Sequence, residues 1–149
     1  MKIAIGSDHG GIELKEAIKS FLAENGYDFK DFGTNSEGSC DYPDYALPVA
    51  EAVAAKEFEL GILICGTGIG IGIAANKVPG VRAALCSDTF SAHATREHNN
   101  ANILTLGQRV VGQGLALDIV KTFLTTEFEG DRHQTRIDKI SEIEKKYSK

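Results

Sequence analysis

Apolar residues alternate along this chain between short unbroken runs and stretches at helical spacing. Lys2 to Gly6 is such a run, and Ile12, Leu14, Ala17, Ile18, Phe21 and Leu22 then recur at helical intervals until Asn25-Gly26 supplies a C-cap. Tyr27 to Phe32 reads as a second strand. Gly33 to Asp44 reads as a polar loop with Pro43 ahead of an alanine-rich helix, Tyr45 to Ala55. Leu60 to Cys65 is the most apolar run, and Ile62, Leu63 and Ile64 predict a strand buried on both faces. The spacing then predicts a helix start within Gly70 to Asn76, a strand over Val81 to Cys86, a helix over Thr89 to His98 and a strand over Ile103 to Leu106. Helices over Gly112 to Leu124 and Arg136 to Tyr147 follow, the last with a charged outer face. Strands alternating with helices through short loops predict an α/β fold with a five-stranded parallel sheet covered on both sides. At 149 residues without an internal repeat or linker, residues 1–149 form one domain.

Composition narrows the function more than the fold. Hydrophobic residues at 42% and charged residues at 25% are ordinary for a soluble globular chain. The net charge of −5, with no dense lysine or arginine cluster, argues against nucleic acid as a partner, so an anionic substrate must meet local arginines. Met1-Lys2-Ile3-Ala4-Ile5-Gly6 reads straight into a strand without a signal-like segment, and no apolar run reaches membrane-spanning length. A cytoplasmic protein without membrane partners is expected. Cys40, Cys65 and Cys86 are odd in number and lack C-x-x-C spacing, which predicts reduced thiols rather than a disulfide framework or a zinc site.

Three strand ends carry unusual polar residues: Ser7-Asp8-His9-Gly10-Gly11, Cys65-Gly66-Thr67-Gly68 and Gly107-Gln108-Arg109. In a parallel sheet all three face one crevice. The glycines after Cys65 expose bare amides, and a helix start there favours anions, a cysteine thiolate among them. Cys65 reads equally as a small core residue, and Asp8 as an N-cap. His98-Asn99-Asn100 and Arg132 with Arg136, an i,i+4 pair, complete the candidate pocket; the alternatives for them are a helix cap and a solvated face. Several motifs fail. Ile71 and Ile73 stand where dinucleotide fingerprints starting at Gly66 or Gly68 need glycine, the chain has no Gly-Lys pair for a P-loop, and His93 and His98 are i,i+5 rather than the i,i+4 of a zinc helix. Proton abstraction beside a carbonyl, as in aldose–ketose isomerisation of a sugar phosphate, uses this inventory without cofactor or metal. Acyl transfer through a nucleophilic Cys65 uses it as well.

The segments Gly6-Ser7-Asp8-His9-Gly10-Gly11, Asp41-Tyr42-Pro43, Ile64-Cys65-Gly66-Thr67-Gly68-Ile69-Gly70, Ala74-Ala75-Asn76-Lys77, His98-Asn99 and Gly130-Asp131-Arg132-His133 closely resemble the B-type ribose-5-phosphate isomerases, a family that also contains galactose-6-phosphate isomerase subunits. The resemblance implies a Rossmann-like three-layer α/β/α sandwich, a homodimer or tetramer with shared sites, and interconversion of D-ribose 5-phosphate with D-ribulose 5-phosphate in the pentose phosphate pathway. By the same resemblance Cys65 is the base, His98 the ring-opening acid and Thr67 the hydroxyl that relays a proton, while Asp8 and Asn99 bind sugar oxygens. The amides of Gly66, Gly68, Ile69 and Gly70 would hold the enediolate, and His9, Arg109, Arg132 and Arg136 the phosphate and the rest of the substrate, the last helix reaching a neighbouring subunit's site. One branch of the family replaces the cysteine by a glutamate aligned with Ile71; with isoleucine there, the resemblance leaves the base to Cys65. Hexose phosphates such as allose or galactose 6-phosphate remain a second substrate class, and a nucleotide-binding module using the Gly66 to Gly72 loop is the reading from outside the family.

Overall fold

The computed structural model describes all residues, Met1–Lys149. Five parallel strands, β1 (Lys2–Ser7), β2 (Asp28–Asp31), β3 (Leu60–Cys65), β4 (Ala83–Leu85) and β5 (Ile103–Gly107), form one sheet in the order β2-β1-β3-β5-β4. The helices are α1 (Ile12–Glu24), α2 (Pro43–Ala54), α3 (Ile69–Ala75), α4 (Thr89–Asn99), α5 (Gln113–Thr125) and α6 (Arg132–Tyr147). No helix is long and apolar enough to cross a membrane.

The pleat of the sheet divides the core in two, giving the three layers. Ile3, Ile5, Ile62, Ile64, Leu104 and Leu106 pack with residues of α1, α4 and α5 on one face. Ala4, Leu63, Cys65 and Ile103 pack with α2 and α3 on the other. All six residues of β3 are buried, as its unbroken apolar run requires. The chain runs from β1 outward to β2 and then returns to the other side of β1 with β3, so strand order reverses between β1 and β3. The crevice beyond their carboxyl ends is where open α/β sheets bind ligands.

Three boundaries differ from the expectation. Helix α2 starts at Pro43 because proline suits a first helical position. Helix α6 starts at Arg132 rather than Arg136, since Gly130 and Asp131 (φ of 76° and 50°) turn the chain and their carbonyls accept the amides of His133 and Gln134. Strand β4 is only Ala83–Leu85, paired on one side with β5 at the sheet's edge. Helical periodicity also hides Lys15, which is fully buried. Its Nζ donates to Asp31 (3.0 Å), Asn35 (3.1 Å) and the Thr34 carbonyl, tying the 33–35 loop beneath the end of β1.

Candidate functional site

Backbone pairing assembles the carboxyl edge. Cys65 stands opposite Gly107 at the ends of β3 and β5, and Ser7 opposite Ile64 on β1. Past the strands, the Asp8 amide donates to the Ile64 carbonyl (3.2 Å), Gln108 N to Cys65 O (2.9 Å) and Arg109 N to Gly66 O (3.0 Å). The three loops therefore leave the sheet locked together. Asp8 is buried, its Oδ1 accepting the Gly10 amide at 2.9 Å. The Arg109 guanidinium lies over Gly66, where a Cβ would come within 3.4 Å of it. His9 accepts the Cys40 amide on Nδ1 (3.2 Å), with the Cys40 sulfur at 3.7 Å.

Cys65 points to the α2/α3 face, 5% exposed, and its Sγ accepts the Gly68 amide at 3.0 Å. Such a bond strengthens as the sulfur gains negative charge. That geometry needs glycine: Gly68 has a φ of 78°, and a Cβ there would lie 2.7 Å from Leu106 and Leu85. Thr67 is exposed beside the sulfur, its hydroxyl accepting the Ile69 amide at 3.2 Å. Tyr42 lies so close on Gly70 that a Cβ would meet its ring at 2.7 Å, so the 33–42 loop flanks the crevice. Cys86 is a different kind of thiol. Burial, with Asp88 adding to it, pushes its pKa up to about 11, leaving it inert at neutral pH.

His98, Asn99, Arg132 and Arg136 do not join this cluster within one chain, which corrects the expectation of a single pocket. Helix α4 leaves the carboxyl end of β4 and runs back to the start of β5, so its last residues lie at the amino edge of the sheet. Arg82, just before β4, confirms the placement by donating to the carbonyls of Asn99 (3.1 Å) and Asn100 (3.0 Å). In register, Gly61 faces Ile103 and Cys65 faces Gly107. Four residues of strand, about 13 Å, thus separate the two levels along the sheet.

The amino-edge cluster is assembled by side chains. Asn100 closes α4 in the left-handed conformation (φ 46°), and Arg96 Nη1 donates to its Oδ1 (2.9 Å) and to Ala101 O (2.7 Å). Arg82 and Arg96, which periodicity alone does not single out, clamp the turn that carries His98 and Asn99. The His98 ring stacks on His133 at 4.4 Å between centroids and 14° between planes. Its Nε2 lies 3.3 Å from Glu97, whose other oxygen is 2.8 Å from His93. Arg132, exposed, pairs with Glu129 at 3.4 Å, and Arg136 follows one turn later. His98, Glu129 and His133 bring ligand atoms within 4.8 Å of one another, a metal-like spacing. Stacked rings, however, direct their in-plane lone pairs side by side rather than onto one ion. None of the chain's concavities is lined by Cys65, Asp8 or His98, while Asn99 lines a shallow one beside Arg82 and Ala101.

Similarity to known proteins covers both clusters. Residues 3–140 match the family described as Ribose/Galactose Isomerase. The structure of ribose-5-phosphate isomerase B from Clostridium thermocellum superposes with a TM-score of 0.98 at 63% identity, covering 99% of this chain and 100% of that one. Ribose-5-phosphate isomerase B of Escherichia coli K12 is 51% identical over 145 residues, 97% of each chain. The Mycoplasma genitalium enzyme, crystallised with bound ribulose 5-phosphate, has a TM-score of 0.93 at 46% identity over 97% of this chain and 96% of that one. The chain belongs to the ribose/galactose isomerase family.

Proposed function

We propose that this protein is a cofactor-independent isomerase of the pentose phosphate pathway, interconverting D-ribose 5-phosphate and D-ribulose 5-phosphate in the cytoplasm as a homodimer with shared sites. The observation that carries the reading is Cys65: a sulfur at the switch point of the sheet, held by the Gly68 amide beside the amides that follow it. His98 gives a proton to the ring oxygen as the C1–O4 bond opens, and the O1 hydroxyl gives up its proton to solvent as the aldehyde forms; His98 regains a proton from solvent. The Cys65 thiolate then takes the C2 proton, and the electrons move into the carbonyl to form an enediolate that the amides of Gly66 to Gly70 stabilise. Return of the proton to C1, with Thr67 carrying a proton between O1 and O2, completes the ketose. Asp8 and Asn99 hold sugar hydroxyls; His9, Arg109, Arg132 and Arg136 hold the phosphate end, away from the sulfur.

Because His98, Asn99, Arg132 and Arg136 stand at the far edge of their own sheet, a second copy must bring them to Cys65. Exposed Ile69, Ile73, Leu85, Phe90 and Val110 surround the carboxyl edge and give that copy an apolar surface to cover. The test is turnover of ribose 5-phosphate in D2O with the product followed by proton NMR. Ribulose 5-phosphate carrying deuterium at C1 is the expected result. Turnover confined to allose or galactose 6-phosphate would move the substrate to the hexose class. No turnover, with stabilisation by ATP alone, would overturn the reading.

A further inference from the structure

His133 raises a question that neither packing nor helix capping answers. It lies in the first turn of α6, is 5% exposed, and its Nε2 is buried without a hydrogen-bond partner. Buried polar atoms are nearly always paired, and an orphan of this kind costs stability wherever it stands. Glu129 Oε1, at 3.7 Å, is too far to serve as that partner. What the ring does instead is lie flat against His98.

We propose that His133 is a positioning residue for ring opening, presenting the flat face of a second imidazole to His98 so that His98 keeps its aim toward the sugar's ring oxygen. The inference rests on the isomerase reading above. Two charged imidazoles stacked at 4.4 Å repel each other, so the pair carries one proton comfortably and a second only at a cost. The surroundings keep His133 neutral. Burial first, and then the positive Arg132, His98 and Arg136, hold His133 below the ordinary histidine range, against an opposing pull from Glu129. His98 is the more solvated ring, its side chain 44% accessible, and its Nε2 faces the Glu97 carboxylate. Glu97 itself lies below the usual carboxylate range, burial opposing the shift and His93 and His98 among the groups producing it. A neutral His133 then offers His98 a π face rather than a rival charge, and a neutral ring beneath a cation is attractive. Below the pH at which His133 accepts a proton, the two rings repel and the aim of His98 is lost.

Two substitutions separate this role from simple packing. His133→Phe keeps a flat ring and removes titration; His133→Leu keeps the burial and removes the flat face. D-ribulose 5-phosphate, with its C5 hydroxyl esterified, cannot close a furanose, so exchange of its C1 proton with D2O reports proton transfer without ring opening. We expect His133→Leu to lose about tenfold in kcat on ribose 5-phosphate with KM little changed, and to keep its C1 exchange rate. His133→Phe should restore kcat at neutral pH and flatten the acid limb of the profile below pH ~6.5. Equal losses in both assays, or wild-type behaviour of both variants across the pH range, would reduce His133 to packing. Should His133→Leu fail to fold, the acid limb of His133→Phe decides alone: an unaltered limb overturns the proposal. Failure of the isomerase reading is distinguishable, because the wild-type protein would then be inactive in both assays.

Discussion

The two edges of the sheet are built by opposite means. At the carboxyl edge, Asp8, Cys65 and Arg109 follow three adjacent strands, and backbone bonds fix them: Asp8 N to Ile64, Gln108 N to Cys65, Arg109 N to Gly66. At the amino edge, His98 and Asn99 hang from a helix end held by two guanidinium groups, and a stacked ring and ion pairs complete the cluster. The first arrangement depends on strand register and glycine; the second depends on side-chain charge. The proposed isomerisation uses both: the carboxyl edge as a rigid base with an anion cradle, and the amino edge as a chargeable acid with a phosphate grip. One chain holds them at opposite ends, and the proposed site therefore draws one edge from each of two copies.

The largest expected effect breaks the carboxyl edge. Cys65→Ala should lower kcat by about three orders of magnitude, the middle of the range for removing a general base, while ribose 5-phosphate still binds. Steady-state kinetics with calorimetric binding check it; retention of more than roughly a tenth of wild-type kcat would remove Cys65 from the base role.

Recombining the edges is the sharper test. Cys65→Ala and Arg136→Ala are each expected to be nearly inactive, yet refolding equal amounts together makes about half the dimers mixed. Each mixed dimer has one site with both residues intact and one with neither, so activity should recover to about a quarter of wild type. Mixed dimers confirmed by mass, with no recovery, would place Arg136 in its own chain's site or outside catalysis.

How far each edge is legible in the sequence follows from the same contrast. Unbroken apolar runs identify the strands, and in a parallel sheet the residues after each run share an edge, so Asp8, Cys65 and Arg109 come together from pattern alone. The misplacement of His98 is different in kind. Chain order held the signal, since a helix between parallel strands runs antiparallel to them and must end at their amino edge. The stacking of His133 on His98 is not legible, because it depends on the turn at Gly130-Asp131 that starts α6 four residues ahead of the apolar pattern. Lys15 is hidden for a related reason: a buried lysine breaks the period, and its partners Asp31, Thr34 and Asn35 lie 16 to 20 residues away.

A smaller effect isolates the clamp at the amino edge. Arg96→Met removes the bonds to Asn100 and Ala101 while keeping an apolar stem against Phe123. Stability should fall by about 2 kcal/mol, as for a lost hydrogen bond to a charged group. Turnover of ribose 5-phosphate should fall several-fold, and urea unfolding with kinetics on one preparation measures both. Undiminished turnover in a destabilised variant would show that the turn does not set the aim of His98.

The smallest effect distinguishes the edges by pH. At the amino edge His133 sits below its ordinary 6.5, burial being the main cause. At the carboxyl edge Asp31 sits below its ordinary 3.8: burial opposes this, but the Gly33 amide, Lys19 and Lys15 outweigh it. Both groups bind protons more readily unfolded than folded, so each contributes stability that is complete above its unfolded value and is lost as pH falls toward its folded one. Urea midpoints at fixed protein concentration should therefore decline in two stages on acidification. The first begins near pH ~6.5 with His133, and the second near pH ~4 with Asp31, where Glu97 also contributes. His133→Phe should abolish the first decline and spare the second. Asp31→Asn should lower the neutral plateau, because Lys15 loses a partner while fully buried, and should weaken the second decline while sparing the first. If His133→Phe leaves the upper decline in place, another group titrates there and the amino edge is not the acid-sensitive half of the molecule.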